Sequence, residues 1–130
     1  MSQESFERAI QLACQMRDRA HAKYSNFRVG AAVLTESGKI FGGCNIENVS
    51  YGLTMCAERV AIHNAVAAGE TRLAALAVAT PGGHAPCGAC RQVAAEFCAD
   101  LVILLVDVDR QGAISQVKLR DLLPARFELP

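Results

Sequence analysis

Hydrophobic residues recur along the chain with two different spacings, which divide its first third into one helix and two strands. Apolar side chains at positions 6, 10, 13 and 14 have helical spacing and predict a helix over Ser5 to Ala22, with Ser2 or Ser5 as its N-cap. Two short runs typical of strands, Val29 to Leu34 and Lys39 to Asn45, flank the small and polar residues 36–38, which suit a hairpin turn.

The rest of the chain alternates helical patterns with apolar strands. Cys56 to Ala68 is a helical pattern that ends at Gly69, and Leu73 to Ala79 is a continuously apolar run of the kind found in buried strands. The pattern then predicts helix Gly88 to Cys98, strand Leu101 to Val106, a weaker strand Ile114 to Val117 and helix Leu119 to Leu122. The order α-β-β-α-β-α-β-β-α predicts an α/β fold with three layers, α-β-α, around a mixed five-stranded sheet.

Composition is that of one globular domain covering residues 1–130, with 52% hydrophobic and 20% charged residues. Thirteen Lys and Arg balance thirteen Asp and Glu, without a basic stripe, which argues against a nucleic-acid partner. The longest strongly apolar run, 101–106, is far shorter than the roughly 20 residues of a membrane helix. The first residues lack the apolar segment of a secretory signal, so we expect a cytoplasmic protein without a membrane partner.

Six cysteines in a cytoplasmic chain call for a chemical explanation, because disulfide frameworks belong to oxidising compartments. Cys14, Cys44 and Cys98 lie within apolar patterns and have no partner at a metal-binding spacing, so we interpret them as packing residues. The remaining three cysteines lie where the second and third predicted helices begin.

Cys56, Cys87 and Cys90 form a candidate zinc site at these two helix starts. The free N–H groups and partial positive charge of a helix N-terminus favour the thiolate that binds metals. Three protein ligands leave one position of a tetrahedral Zn²⁺ ion for water, as in catalytic sites. Glu58, two residues beyond Cys56, lies close enough to take a proton from such a water.

Two other interpretations of the cysteines remain open at this point. His84, three residues before Cys87, could complete a closed Cys₃His site, in which zinc would be structural and the protein a binding module. Alternatively, Cys87 and Cys90 could act as a redox Cys-x-x-Cys pair at a helix start, which would leave Cys56 without a role.

Arg59 has a predicted electrostatic role next to the metal. Zn²⁺ with three thiolates carries a net charge near −1, which weakens its effect on a bound water. Arg59 lies one helical turn after Cys56, so its guanidinium can offset that charge. Arg91 is a second, weaker candidate for the same role.

Five segments in a fixed order resemble the cytidine deaminases of the small homotetrameric type, over nearly the whole chain. They are YSNFRVGAA at 24–32, NIEN with SY at 45–51, CAER at 56–59, PCGACRQ at 86–92 and DLLPxxF at 121–127. The resemblance implies zinc-dependent hydrolytic deamination of cytidine and 2′-deoxycytidine to the uridines and ammonia, in pyrimidine salvage, with Cys56, Cys87 and Cys90 as ligands of one Zn²⁺ per subunit and Glu58 as the group that moves protons.

The same resemblance assigns the substrate contacts. Asn45 and Glu47 are expected to bind the ribose hydroxyls, and Phe27 to pack against the nucleoside. The main chain of Ala57 is expected to bind the base edge. Two further aromatic residues are expected to approach the site in a homotetramer whose active sites are completed by neighbouring subunits, namely Tyr51 and Phe127.

The choice of substrate within the deaminases depends on the sugar contacts. A neutral amide with a carboxylate suits a free sugar hydroxyl and repels a phosphate, so a nucleoside is favoured over a nucleotide. Another aminopyrimidine nucleoside, such as blasticidin S, is the alternative substrate.

Overall fold

The computed structural model describes residues 2–130 and contains every helix and strand that the sequence predicts, together with two 3₁₀ turns at Tyr51–Leu53 and Val108–Arg110. None of the helices in these residues combines the length and the apolar content that crossing a membrane would require. The elements are α1 Gln3–Arg17, β1 Gly30–Thr35, β2 Ile40–Cys44, α2 Ala57–Ala67, β3 Leu73–Thr80, α3 Gly88–Glu96, β4 Val102–Asp107, β5 Ala113–Lys118 and α4 Leu119–Leu122.

The five strands form one mixed sheet in the order β2-β1-β3-β4-β5. β1 is antiparallel to both β2 and β3, β3 and β4 are parallel, and β5 is antiparallel to β4. The crossover between the parallel strands is α3, as a βαβ unit requires. The predicted mixed five-stranded sheet is confirmed.

Helices cover both faces of the sheet, because the side chains of each strand alternate between them. Ala31 and Val33 of β1 face the larger core with α2 and α3, whereas Ala32 between them packs in the core beneath α1. All three side chains are completely buried. The predicted three-layer α-β-α arrangement is therefore confirmed.

The first helix differs from its predicted bounds at both ends. Ser2 is the N-cap, and its side chain accepts a hydrogen bond from the Ser5 backbone N–H, so the helix begins earlier than predicted. It ends at Arg17 and not at Ala22. The backbone of His21 instead bonds to the segment after β2, and its alanine neighbours are buried there beside Cys44, so tertiary packing overrides the helical pattern.

Three strands run in the same direction and end level with one another, which creates the edge where the site lies. Gly30 of β1 pairs with both Cys44 of β2 and Ala79 of β3, and Ala79 pairs with Val106 of β4. The carboxyl ends of β2, β3 and β4 therefore share one edge of the sheet. Side chains placed just beyond these ends, and helices that follow them, are brought together there.

Candidate metal centre and adjoining cavity

Helices α2 and α3 both begin at this edge, because each follows a strand that ends there. Cys56 is the N-cap of α2 and Cys87 the N-cap of α3, while Cys90 lies in the first turn of α3. Neither N-cap side chain accepts a hydrogen bond from the backbone N–H groups of its own helix. The sulfurs thus stand at two positive helix ends, an environment that favours thiolates.

The three sulfurs lie at distances that suit one metal ion. The Sγ atoms of Cys56 and Cys87 are 3.9 Å apart, those of Cys87 and Cys90 are 3.6 Å apart, and all three lie within 4.8 Å of one another. Zn–S bonds of about 2.3 Å give a tetrahedral edge of about 3.8 Å. The donor set and its spacing therefore fit one Zn²⁺ ion per chain.

The pKa values of the Cys56 and Cys90 thiols are shifted in opposite directions. The hydrogen bond from Cys90, with a further contribution from Arg59, lowers the pKa of Cys56 to about 5 against the effect of burial. The same bond to Cys56, together with burial, raises the pKa of Cys90. A thiolate that shares the proton of a neighbouring thiol is a site where a divalent cation can displace that proton.

The other three cysteines behave as packing residues. Burial raises the pKa of Cys14, Cys44 and Cys98, the last to about 11. The thiols of Cys44 and Cys98 donate to backbone carbonyls, and all six cysteines of the chain are free of disulfides. These three thiols are therefore poor metal ligands and poor nucleophiles.

The two arginines near the centre have different contacts. Nη2 of Arg59 lies 3.4 Å from the Cys56 sulfur, while its buried Nε has no hydrogen-bond partner within residues 2–130. Arg91 does not share this role, because Nε donates to the Pro86 carbonyl at 2.8 Å and Nη1 to the Leu122 carbonyl at 2.9 Å. Arg91 thus ties the loop before Cys87 to the end of α4, and Arg59 alone faces the sulfurs.

Glu58 is the buried carboxyl group beside the sulfurs. It lies in the first turn of α2 and is only 6% exposed. Burial raises its pKa to about 7; the nearby Cys56 thiolate adds to this, whereas its own backbone N–H and Arg59 oppose it. A carboxyl group with this pKa can both accept and release a proton near neutral pH.

A cavity of about 220 Å³ lies over the sulfurs and Glu58. Its walls are mostly apolar, as in most small-molecule sites. The lining residues are Phe27, Val29, Asn45, Thr54, Cys56, Ala57, Glu58, Val78, Thr80, His84, Ala85 and Cys87. Of the residues predicted from the resemblance, Phe27, Asn45 and Ala57 are thus brought to the metal centre.

Asn45 also organises the cavity wall. Its Oδ1 accepts from the Val29 backbone N–H at 2.9 Å, and its Nδ2 donates to the Phe27 carbonyl at 2.8 Å. Glu47 lies in an adjoining cavity of about 280 Å³ with Tyr51, and Thr54 lines both cavities. The adjoining cavity therefore extends the space above the metal centre along the polar loop after β2.

Glu47 holds the loop that precedes Phe27, an aromatic residue of the cavity wall. Its carboxylate accepts from the backbone N–H groups of Tyr24 and Ser25 at 2.9 and 3.1 Å and also from the Ser25 hydroxyl. The bond from the Ser25 side chain, followed by those from the two N–H groups, lowers the pKa of Glu47 despite partial desolvation. Glu47 is therefore a fixed negative charge beside the site.

Phe127 is not near the metal centre of its own chain. It is 71% exposed and lines a surface groove against α3 with Gln92, Ala95 and other residues of the C-terminal segment. Tyr51 is also exposed, at 66%, and its ring meets Tyr24 edge-on with 6.0 Å between centroids. Neither aromatic ring contacts the sulfur centre within one chain.

The two alternative interpretations of the cysteines do not agree with this geometry. Within residues 2–130, the group of side chains that could hold a metal contains the three cysteines and not His84, so the closed Cys₃His site is wrong. The redox interpretation needs only Cys87 and Cys90, yet Cys56 converges on the same point. Residues 2–130 therefore supply three metal ligands at this point and not four, which leaves the fourth position of a tetrahedral ion open.

Sequence reasoning did not place several residues in the cavity wall, among them Thr80, Val29 and His84, an exposed residue that the sequence analysis considered as a possible fourth ligand. Val29 and Thr80 flank the paired row of Gly30 and Ala79 at the sheet edge. Their position next to strand ends was the available signal, but it becomes informative only once strand directions are known.

The fold and the donor set define a class of protein, an α/β zinc protein with three thiolates beside a buried carboxylate. Residues 3–106 match the family model described as the cytidine and deoxycytidylate deaminase zinc-binding region. The cytidine deaminase of Sporosarcina psychrophila is 45% identical over 124 residues, 93% of this chain and 90% of that protein. The cytidine deaminase of Halalkalibacterium halodurans is 46% identical over 121 residues, 91% and 90% of the two chains.

Solved structures show the same relationship. The crystal structure of cytidine deaminase from Burkholderia pseudomallei superposes with a TM-score of 0.88 at 45% identity, covering 98% of this chain and 100% of that one. The cytidine deaminase from Mycobacterium tuberculosis gives a TM-score of 0.82 at 40% identity, covering 95% and 98%. The chain belongs to the cytidine and deoxycytidylate deaminase family.

Proposed function

We propose that this protein is a cytidine deaminase that converts cytidine and 2′-deoxycytidine, with water, to uridine or 2′-deoxyuridine and ammonia. The observation that carries the proposal is the buried Glu58 carboxyl beside three convergent sulfurs, under a cavity that opens to solvent. The related proteins of similar length are themselves named cytidine deaminases, which supports the same reaction for residues 1–130 acting as one domain.

Cys56, Cys87 and Cys90 would hold the zinc, which would supply Lewis-acid activation of the attacking water. Glu58 accepts a proton from that water and transfers it to N3 of the pyrimidine, which makes C4 electrophilic. The water oxygen adds to C4, and Glu58 takes the remaining proton of the new C4 hydroxyl and passes it to the amino group, which leaves as ammonia when the C4–N bond breaks, so one carboxyl serves as base and as acid in turn. Its pKa of about 7 suits both steps near neutral pH.

Arg59 adjusts the charge of the metal centre. Three thiolates and one Zn²⁺ leave a negative charge, and the guanidinium lies at 3.4 Å from the Cys56 sulfur. A cation at this distance withdraws electron density from the thiolate, so the metal remains a stronger Lewis acid.

The sugar is bound by the loop that follows β2. Asn45 lines the metal cavity and Glu47 the adjoining one, which supports a role for both residues in binding the ribose hydroxyls. The Glu47 carboxylate has about four acceptor positions and uses three for Tyr24 and Ser25, so one remains for a hydroxyl. Its negative charge disfavours a phosphate, and a nucleoside is therefore the expected substrate. Phe27 packs against the nucleoside, and the main chain of Ala57 binds the base edge.

The active site is completed by neighbouring subunits of a homotetramer. Large apolar side chains that one chain leaves exposed support this assembly, because exposed apolar patches mark interfaces. The most exposed of them are Val49, Tyr51, Leu53, Phe127 and Leu129. Phe127, remote from its own metal centre, approaches the site of a neighbour, and sedimentation of the purified protein tests the assembly. The six free cysteines agree with a reducing compartment, the cytoplasm.

Exchange of one carboxylate tests the reaction. Glu58→Gln should keep one zinc per chain and the thermal stability of the parent, but reduce kcat for cytidine by at least about a thousandfold, within the range for loss of a general acid–base group. Glu7→Gln, an exposed carboxylate on α1, is the control and should be fully active. Comparable turnover in Glu58→Gln would remove Glu58 from the mechanism.

A substrate panel tests the specificity. Cytidine, deoxycytidine, CMP, blasticidin S and adenosine would be compared by the loss of absorbance in the cytosine band and by ammonia release. The two cytosine nucleosides should be turned over, and CMP should be poor because of Glu47. Preference for blasticidin S or CMP would contradict the proposed substrate.

A further inference from the structure

His84 lies in the wall of the metal cavity but is neither a metal ligand nor part of the proton path. It lines the same cavity as Phe27, Glu58 and Cys87, and these two rings, His84 and Phe27, are the aromatic groups in its wall. Their centroids are 6.3 Å apart with an interplanar angle of 46°. This is the range in which aromatic rings attract one another, so the two side chains form one continuous surface.

The loop that carries His84 is held at several points. The His84 backbone N–H donates to Thr80 Oγ1 at 2.8 Å, and the Gly82 backbone N–H donates to Asp107 Oδ1 at 2.9 Å. Gly82 has a φ of +96°, and a Cβ at this position would lie 2.6 Å from Nε2 of His84. The imidazole therefore lies directly over a glycine, and only a residue without a side chain permits that placement.

Within residues 2–130, neither nitrogen of the His84 imidazole makes a hydrogen bond to another protein group. The hydrogen bond of His84 is made by its backbone N–H. An aromatic ring that lines a cavity and makes no hydrogen bond of its own offers a surface to a planar ligand.

We propose that His84 is a substrate-binding residue, whose ring forms with Phe27 an aromatic wall against which the pyrimidine base packs. The inference rests on the proposed function, because it takes an aminopyrimidine nucleoside as the ligand. A base that binds in this cavity beside Glu58 and the sulfurs shares the space with the rings of Phe27 and His84. His84 contributes affinity for the base and takes no part in the chemical step.

Three substitutions separate the ring from its nitrogens. His84→Val and His84→Asn remove the aromatic ring, and each should raise KM for cytidine and Kd for the product uridine by about tenfold, the scale of one aromatic contact. His84→Phe keeps a ring and should stay within about twofold of the parent. kcat and zinc content should be unchanged in all three, and His63→Val, an exposed histidine on α2, is the matched control.

A double-mutant cycle tests the placement over Gly82. Gly82→Ala introduces a methyl group against Nε2 and should raise KM in the parent, yet add less in His84→Val, where the ring is absent. Additive effects would overturn the placement.

The outcomes distinguish this inference from the proposed function. A zinc-loaded parent protein that does not deaminate cytidine overturns the proposed function. An active parent with unchanged KM and Kd in His84→Val overturns the role of His84 alone. A loss of zinc or of kcat at constant KM would make His84 part of the loop scaffold, and a His84→Phe variant as weak as His84→Val would assign binding to the nitrogens; either result overturns the aromatic wall.

Discussion

Gly43 fixes the distance between strand β2 and the helix that begins with the metal ligand. It is buried and faces the first turns of α2, where an added Cβ would lie 2.4 Å from the Ala61 nitrogen and 2.6 Å from the Ala57 oxygen. Ordinary contact begins at 3.4 Å, so Gly43→Ala must push the helix away by about 1 Å. The clashing atoms are backbone and cannot rotate aside.

The displacement acts directly on the site. Cys56 and Glu58 flank Ala57, whereas Cys87 and Cys90 belong to a different helix and stay behind. The sulfur triangle should therefore open, and the carboxyl should shift relative to the substrate. A misplacement of about 1 Å can cost about a hundredfold in rate, and overpacking costs about 1–3 kcal/mol of stability.

The assay compares two neighbouring glycines on opposite faces of one strand. Gly43→Ala should lower zinc per chain, kcat for cytidine and the thermal midpoint together. Gly42→Ala is the control, because its Cβ meets the flexible side chain of Met16 at 2.7 Å, on the face away from the site. A Gly43→Ala protein with full zinc, parental kcat and parental stability would refute the close packing of strand and helix.

Three further predictions concern charge, pH and metal. Arg59→Gln should reduce zinc retention or kcat by about 10–100-fold, the range for groups that orient metal ligands, and unchanged zinc and rate would remove Arg59 from the site. Ser25 lowers the pKa of Glu47, so the contribution of their bonds to stability is present above the ordinary pKa of 4.5 and is lost as pH falls through the lower folded value. Ser25→Ala should flatten the dependence of unfolding on acid, and an identical profile would contradict this. Chelation should lower the thermal midpoint and zinc should restore it; an indifferent midpoint would exclude a metal bound preferentially by the folded state.

Local patterns predict the order of elements well, because most helices bury an apolar face and the strands β1 and β3 are apolar and buried almost throughout, although β5 is largely exposed. The end of α1 shows the limit. Ala20 and Ala22 continue a helical pattern, but the chain leaves the helix at Arg17 so that His21 can bond to the segment after β2. The local sequence does not distinguish an alanine on the buried face of a helix from an alanine outside the helix that is buried against a neighbouring strand.

The metal centre is more predictable than the cavity above it. Two helix starts with cysteines at the N-cap specify three sulfurs almost without reference to the sheet. The cavity wall depends instead on strand directions, so spacing along the sequence does not predict that His84 and Thr80 line it. The resemblance names Phe127 as a site residue, yet within one chain this side chain is exposed and lies in a groove against α3, apart from the metal centre.

The starts of α2 and α3, which meet at the sulfur centre, are far apart along the sequence. Cys56 and Cys87 are separated by 31 residues, and the enclosed stretch holds all of α2 and the central strand β3. An ion bound there acts as a reversible crosslink, and chain-entropy estimates for a loop of this size are roughly 3–4 kcal/mol. Without zinc, the protein would therefore be less stable and more open to proteolysis within its middle third. The supply of zinc in a cell would then govern both the catalytic rate and the lifetime of each molecule.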